Sequence, residues 1–468
     1  ATWDKTHFDA NVNSLDARAI LEAHASGQFK ASRLDRLSFN ANVEHLDGTL
    51  FTHSTSDNQP IWSGQIYGKL ANLSNKDMSA DIQVNHLCKQ TADSTYLLKH
   101  LSFTANPTPW GTRAVLYGDF GHLTAEGPAN GPLLTEHVQR IAGIFSSNKS
   151  LPAADHEPTW QFSAYLTDDN VFRHLLSVPL SFDAPLTFEG RVNSHSRSLL
   201  SFSAPRLAYN GVELRRPRLY ATAEGHRLHV LLQGEKQVGK SGMLFVIESD
   251  NNADTLHTAL TWQEPQGKYH GQVKAKTFPS TTEDGRDIVT IVQPTTFTMA
   301  DTLWDVKESR IAWTKRGVDV QNFRLSHANQ SLSVHGLFGK TAADTIHASL
   351  QGIEVSYILS LINLKPVSFA GRATGPVSIT PSEGGMAIAG DLNIPAFRFN
   401  ESAMGDAQIG MRINTADMRL HFDAAMIDRD TCGTAVQGYV GIKEKLLNLR
   451  ITSKETDVRF LRRYVGHL

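Results

Sequence analysis

The sequence predicts an all-β protein: an elongated, curved and twisted β-sheet that forms a groove, built from divergent strand repeats with a few short helices. Segments of alternating apolar and polar residues recur along the whole 468-residue chain. This period of two is typical of strands with one apolar face. Helical spacing is confined to short stretches. The alternation has only two weak breaks, whereas a β-sandwich closes after roughly 100 residues.

The composition excludes several classes of protein. With 45 basic and 47 acidic residues the chain has a formal net charge of -2, which provides no attraction for nucleic acid. Cys88 and Cys432 are too few for a disulfide framework or a thiolate metal site. The chain has no apolar run of the roughly 20 residues that a transmembrane helix needs, and its first residues lack the pattern of a signal peptide. We expect it to be a segment of a longer protein whose membrane anchor lies elsewhere.

The first predicted β-repeat segment covers residues 1–126, and its alternation is clear in Leu37–Val43 and Leu101–Ala105. Residues 127–158 are rich in Pro, Ala, Asn and Ser. Such a composition is typical of loops, so we predict a loosely structured connection with one short helix around His137–Phe145.

A second β-repeat segment is predicted for residues 159–277, where Trp160–Leu166 alternates clearly. Residues 278–295 contain Pro279 and the charged sequence TEDGRD, and they predict a second connection. The third segment, 296–468, has the most regular alternation and is predicted to continue the same groove.

Short helices are predicted where a polar or acidic residue of the capping type precedes a turn with apolar residues on one side. These stretches are interpreted as markers of the repeats. They are Asp16–Leu21, Asn170–Leu176, Glu354–Leu359, which begins a helix continuing to Ile362, and Asp457–Leu461.

The segment Gly234–Ser241 matches the P-loop pattern of nucleotide-binding proteins. A P-loop needs a helix after the glycines, because the helix N-terminus holds the phosphate. The residues after Ser241 are instead Gly-Met-Leu-Phe-Val-Ile, a strand-like sequence. The segment therefore predicts the turn of a β-hairpin.

Enzyme chemistry has no support in the sequence. The 20 histidines are scattered without metal-ligand spacing, and no serine lies in a G-x-S-x-G motif. We therefore predict no enzyme activity, no catalytic residue, no metal site and no cofactor.

The apolar faces of so many strands must be covered by a second sheet, by a closed barrel or by a ligand. Two facing sheets are the simplest alternative. The length of the array favours an open groove that binds lipid. The residues predicted to line this groove share one face of successive strands: Val367, Phe369, Val377, Ile379, Ile388, Leu392, Ile394, Ile409, Met411, Ile413, Leu420, Phe422 and Met426.

Several short segments of the sequence are similar to those of a known protein family. They are Trp304–Val306, Val318–Leu325, Gln330–Gly336, Asp344–Leu350, the predicted helix from Val355 to Ile362, Phe369–Gly371, Phe397–Gly405 and Val436–Tyr439. These segments resemble the repeat regions of TamB-like translocation and assembly module proteins in the AsmA-like superfamily. The resemblance extends over most of the chain and is strongest from Trp304 to Leu468.

The resemblance implies a long β-taco that crosses the periplasm of a diderm bacterium and is anchored in the inner membrane by a segment not present here. It implies transfer of phospholipid, through its acyl chains, toward the outer membrane, and outer-membrane biogenesis together with an outer-membrane barrel partner. No catalytic residue carries over from the family.

Two other functions remain open from the sequence. A secreted adhesin or polysaccharide-binding β-array needs the same strands, together with a surface aromatic or metal site. An outer-membrane β-barrel ranks below it, because several predicted strands are shorter than the roughly 9 to 11 residues that span a bilayer.

Overall fold

The computed structural model describes most of the chain. The described residues are 1–31, 33–50, 59–73, 77–128, 159–192, 198–210, 212–224, 227–238, 241–282, 285–341, 343–355, 369–383, 385–399, 402–428, 431–441 and 446–453.

The protein is an all-β protein, as the alternating sequence predicted. The described residues form 33 strands, and the strand pairs are antiparallel. The chain divides into two compact units, which are described separately. The first comprises Ala1–Asp254 and Trp262–Pro265, and the second comprises Thr255–Thr261 and Gln266–Leu468.

The strands of the first unit are β1 (Thr2–Trp3), β2 (His7–Asp16), β3 (Ala19–Lys30), β4 (Arg33–Asp47), β5 (Ile61–Ala71), β6 (Ser79–Gln90), β7 (Thr95–Thr108), β8 (Gly111–Gly118), β9 (Gly121–Gly127), β10 (Trp160–Leu166), β11 (Leu180–Phe182), β12 (Leu186–Val192), β13 (Ser198–Ser203), β14 (Arg206–Tyr209), β15 (Val212–Glu224), β16 (Arg227–Val238) and β17 (Ser241–Asn252).

Strand β18 (Thr255–Gln263) belongs for the most part to the second unit. The other strands of that unit are β19 (Tyr269–Thr282), β20 (Gly285–Val292), β21 (Thr295–Met299), β22 (Thr302–Val306), β23 (Ser309–Trp313), β24 (Val318–His327), β25 (Gln330–Phe338), β26 (Ile346–Glu354), β27 (Phe369–Ala370), β28 (Arg372–Ser382), β29 (Gly385–Phe399), β30 (Ser402–Asn414), β31 (Arg419–Asp428), β32 (Thr431–Gly441) and β33 (Leu446–Ser453).

Neighbouring strands in the sequence are mostly neighbours in the sheet. In the first unit β1 to β10 pair in chain order, and the sheet continues through β12, β13, β15, β16 and β17. In the second unit β23 to β26 pair in order, then β26 with β28, and β28 to β33 again in order. Such meanders need only short turns, which is why turn residues recur so often in the sequence.

Several sequence predictions about helices and connections need correction. Residues 278–295 were predicted to be a connection, but Phe278–Thr282 pairs with Gly285–Val289 as a hairpin of β19 and β20. Thr282 pairs with Gly285, so this segment is part of the sheet rather than a linker. The predicted helix at Asp16–Leu21 is also wrong, since Asp16 pairs with Ala19 across a turn.

Of the other predicted helices and connections, one helix is confirmed and the rest lie wholly or mostly outside the described residues. The helix at Asn170–Leu176 is confirmed as a short π-helical turn, Val171–Leu175. Beyond Pro128, the predicted connection 127–158 lies outside the described residues, and so does the helix predicted within it at His137–Phe145. The helix predicted from Glu354 is described only as far as Val355, and the stretch Asp457–Leu461 lies outside the described residues.

The P-loop match is a hairpin, as predicted. Strand β16 ends at Val238 and pairs with Ser241, the first residue of β17. Gly234 lies inside β16, opposite Phe245. Ser241 therefore begins a strand rather than the helix that a phosphate-binding loop requires.

Bulges interrupt the register of several long strands. Register shifts occur at Val320/Phe323, at Leu350/Ile353 and at Ile394/Phe397. Asn322 and Gly352 adopt positive φ angles of 57° and 59° at two of these places. An extra residue bends a strand and increases its twist, so these bulges introduce local curvature into the sheet of the second unit.

We expect Gly336→Ala to destabilise the second unit by about 1–3 kcal/mol. Gly336 has a φ of +120°, and an added Cβ would collide with the carbonyl oxygen of Thr345, which directly precedes the neighbouring strand β26. Gly410→Ala is the matched control in the same unit, because the atom nearest to an added Cβ there is Asp391 Oδ1, at 3.4 Å. Urea denaturation of both variants measures the difference, and equal midpoints would contradict the expectation.

Candidate functional site

The antiparallel register of the second unit aligns the predicted groove residues in rows that run across the strands. Residues directly opposite each other in such a pair have Cβ atoms about 4.5–5.5 Å apart and lie on the same face. The predicted residues from Phe369 to Met426 fall within the described part of the chain, whereas Val367 lies outside it.

The first row crosses four strands. Ile379 of β28 lies opposite Ile388 of β29, which lies opposite Ile413 of β30, which lies opposite Leu420 of β31. The row continues to Val440 of β32. It is apolar throughout, although each residue comes from a separate alternating segment.

The second row contains a glycine where neighbouring side chains need space. Val377 lies opposite Gly390, which is followed by Met411 and Phe422. A Cβ at Gly390 would come within 3.1 Å of Val377 Cγ2 and 3.2 Å of Met411 Cε. The glycine thus lets two apolar side chains approach each other over the sheet.

Two further rows complete the apolar face. One consists of Leu392, Ile409, Ala424 and Val436, and the other of Ile394, Ala407, Met426 and Thr434. The described residues of the predicted set from Val377 to Met426 therefore lie on one face.

This face has a buried part and a partly open part. Leu392, Ile394 and Met426 are buried, and they pack in one cluster with Phe397 and Ala373. Phe369 joins this cluster, with its ring 6.0 Å from that of Phe397. The cluster is a packed core, so the prediction of one uniform groove lining does not describe this part of the face.

The partly open part comprises the first row and Phe422 of the second, whereas Val377 and Met411 pack against the buried cluster. Ile379, Ile388, Ile413, Leu420 and Phe422 are half-buried. Side chains in the dry layer between two facing sheets are buried from both sides. A half-buried apolar row therefore leaves room for another apolar group.

The opposite face of the same strands is polar. Arg412, His421 and Asp423 are exposed and alternate with the apolar rows. The Gln437 amide donates a hydrogen bond to Asp423 at 3.0 Å, and the Arg419 guanidinium lies 5.8 Å from the ring centre of Tyr439. The sheet is amphipathic, with water on one side.

Sequence reasoning missed members of the same face. Ile346 extends the first row at β26, and Phe397 lies at the centre of the buried cluster. Val436 and Val440 extend the rows to β32. The alternation in these segments indicated an apolar face, and the register of each strand with its neighbour was the missing information.

The first unit has an apolar face of the same kind, although no residue of it had been predicted as a site. One row runs across nine neighbouring strands: Phe103, Leu116, Leu123, Ala164, Phe188, Phe202, Leu219, Leu232 and Ile247. A depression of about 270 Å³ lies over this row, and Phe103, Phe162 and Phe188 line it.

Aromatic rings in the first unit lie over glycines of the neighbouring strand. The Phe39 ring occupies the space that a Cβ of Gly68 would take, and the Trp160 ring does so at Gly127. The Phe245 ring would lie 3.0 Å from a Cβ of Gly234. Each of these rings therefore covers backbone next to it.

The π-helical turn covers one end of the apolar face in the first unit. Val171 packs with Leu98, which is 1% exposed. The ammonium of Lys89 donates hydrogen bonds to the carbonyl oxygen of Leu175 at 3.1 Å and to Ser177 Oγ at 2.9 Å. The turn is thus fixed to β6 by a buried cation.

Tyr96, which contacts the π-helical turn, has a shifted pKa. Burial raises the pKa of the Tyr96 hydroxyl, and the carboxylates of Asp168 and Asp119 act in the same direction. The Tyr96 ring stacks on His174 of the helical turn at 5.7 Å. Tyr96 therefore acts here as a packing residue in its neutral form.

Comparison with known proteins adds no family assignment, because no protein-family model and no curated protein matches the chain. Within the part of the chain that the structure describes, no helix is both long and apolar enough to cross a membrane.

The division of the apolar face predicts two stability classes. We expect Ile394→Ala to cost about 2–5 kcal/mol, because Ile394 is 2% exposed and the variant leaves a cavity. Ile413→Ala is the matched control from the first row, and it should cost only about 1 kcal/mol because its side chain is already half-buried. Urea denaturation measures both, and a cost at Ile413 equal to that at Ile394 would show that the row is a closed core.

Proposed function

We propose that the chain is a non-enzymatic hydrophobic β-groove that transfers phospholipid between the inner and outer membranes and serves outer-membrane biogenesis. Acyl chains bind the apolar rows, and the charged headgroup stays in water beside the sheet. The observation that carries the proposal is the half-buried first row, Ile379, Ile388, Ile413 and Leu420, aligned across four strands.

The energetics of such a row suit a mobile lipid tail. Burial of an acyl chain yields about 0.8 kcal/mol per CH₂. The attraction has no preferred direction. Adjacent strands lie about 4.8 Å apart and present side chains of similar size, so a tail that moves by one strand exchanges one apolar contact for another. This arrangement retains lipid without a single deep binding site.

The resemblance to TamB-like proteins supports the setting of this proposal. On the basis of this resemblance we propose that the protein acts in the periplasm. The resemblance also gives an outer-membrane barrel protein as the partner. The first two rows carry only hydrocarbon and thioether side chains, so the proposed role is binding and transfer.

A polysaccharide-binding surface is the second candidate, and one observation favours it. Tyr117 and Tyr165 lie on the polar face of the first unit, in one row with His122 between them. They are 55% and 43% exposed, and the rings of His122 and Tyr165 stack at 5.7 Å. Exposed aromatic rings offer flat apolar surface next to polar groups, which a sugar ring can use.

Organic extraction of the purified chain distinguishes the two candidates. We expect phospholipid in the extract of the wild-type chain and in that of a Tyr117→Ala variant, because Tyr117 lies on the polar face. Glycan in the aqueous phase of the extraction without phospholipid in the organic phase, and loss of that glycan in Tyr117→Ala, would favour the polysaccharide-binding function.

A charge on the partly open row tests the groove directly. We expect Phe422→Glu to fold, because Phe422 is half-buried and a carboxylate there reaches water, while lipid binding in its row is lost. A photoreactive residue at Ile409, diagonal to Phe422 on the next strand, should give a phospholipid adduct when Phe422 is present and lose it in the variant.

Two controls accompany this experiment. Ile394→Glu buries the same charge in the packed cluster and should lower the free energy of unfolding of the second unit by several kcal/mol. His421→Glu places it on the exposed polar face and should change neither melting nor the adduct. An unfolded Phe422→Glu chain together with no adduct at Ile409 in the wild type would refute the proposed groove.

A further inference from the structure

We propose that His229, Glu248 and Asp250 of the first unit form a binding site for a divalent metal ion of the zinc class. The three side chains lie on the polar face of β16 and β17, which is the face opposite the apolar rows. This site is therefore independent of the lipid-binding function proposed above.

The strand geometry brings the three ligands together. Glu248 and Asp250 are two residues apart on β17, so they project from the same face. His229 of β16 lies directly opposite Asp250. One ligand atom from each residue lies within 4.8 Å of the other two. Two ligands from one strand and a third from its neighbour thus converge on one point above the sheet.

The distances fit a small metal ion after modest side-chain rotation. His229 Nδ1 and Asp250 Oδ1 are 2.8 Å apart. In tetrahedral coordination with metal–ligand bonds of about 2.0–2.1 Å, the ligand atoms are about 3.4 Å from one another. The His–Asp separation opens slightly on binding, and the Glu248 carboxylate moves inward.

The donor set selects the class of metal. An imidazole nitrogen with two carboxylate oxygens suits Zn²⁺ and similar transition-metal ions, whereas Mg²⁺ and Ca²⁺ prefer oxygen ligands alone. The two carboxylates neutralise the charge of a divalent ion. The side chains of His229 and Asp250 are 35% and 58% exposed, so a further coordination position faces water.

An ion pair between His229 and Asp250 does not account for the position of the Glu248 carboxylate beside them. His229 and Asp250 would pair with each other without it. The Glu248 side chain is exposed and makes no hydrogen bond or ion pair with the described residues. A strand-borne His–Asp pair elsewhere in the unit lacks this third ligand: His24 Nε2 and Asp9 Oδ2 are 3.6 Å apart, and His24 Nδ1 contacts Asn11 Oδ1.

Competition for Zn²⁺ between the purified chain and a chromogenic chelator tests the site. We expect one class of tight site with a stoichiometry of about one ion per chain, weakened by about tenfold or more in both Glu248→Gln and His229→Gln. The matched control is His24→Gln, which removes a histidine from the pair without a third ligand and should change the affinity less than about twofold.

Melting of each variant without metal distinguishes loss of the site from loss of the fold. The ligands are partly or fully exposed, so the metal-free melting temperatures should remain unchanged. Zinc binding that is absent from the wild-type chain, or equally strong in Glu248→Gln and in the wild type, would overturn the proposal.

Discussion

The structure depends on the register of antiparallel strands. Because side chains alternate strictly along a strand, a shift of one residue would turn every apolar side chain of that strand to the opposite face. The rows formed by Ile379, Ile388, Ile413 and Leu420, and by Phe103, Leu116 and Leu123, exist only because each neighbour pairs in step. One face of each sheet is apolar as a consequence, and the other is polar.

Burial along the apolar face is uneven, and this difference connects stability with function. Ile394, Leu392 and Met426 are covered by the chain itself and supply packing energy to the second unit. The first row is only half-buried, so part of its possible stabilisation is left for a ligand. The groove proposed above therefore combines two parts: a packed core that holds the strands in register, and an adjacent row that keeps part of its apolar surface exposed.

The polar face of the first unit carries chemistry of a different type. There the same alternation places Glu248 and Asp250 side by side, and the strand pairing adds His229. The exposed rings of Tyr117 and Tyr165 lie on the same face. One sheet thereby offers apolar contacts on one side and directional polar contacts on the other, and the two can act without interfering.

The sequence by itself determined the all-β class, the hairpin at the P-loop match and the common face of the residues from Val377 to Met426. These features follow from the local period of two, which short segments carry completely. The linker predicted at 278–295 failed because charged turn residues look alike in a hairpin and in a connection. The helix predicted at Asp16–Leu21 failed because its apolar residues fit both periods, and pairing with β3 decided between them. Only the tertiary structure decided which rows are buried and which are half-open, and that His229 meets Glu248 and Asp250. Those properties depend on contacts between strands, and no single strand contains the information about its neighbour.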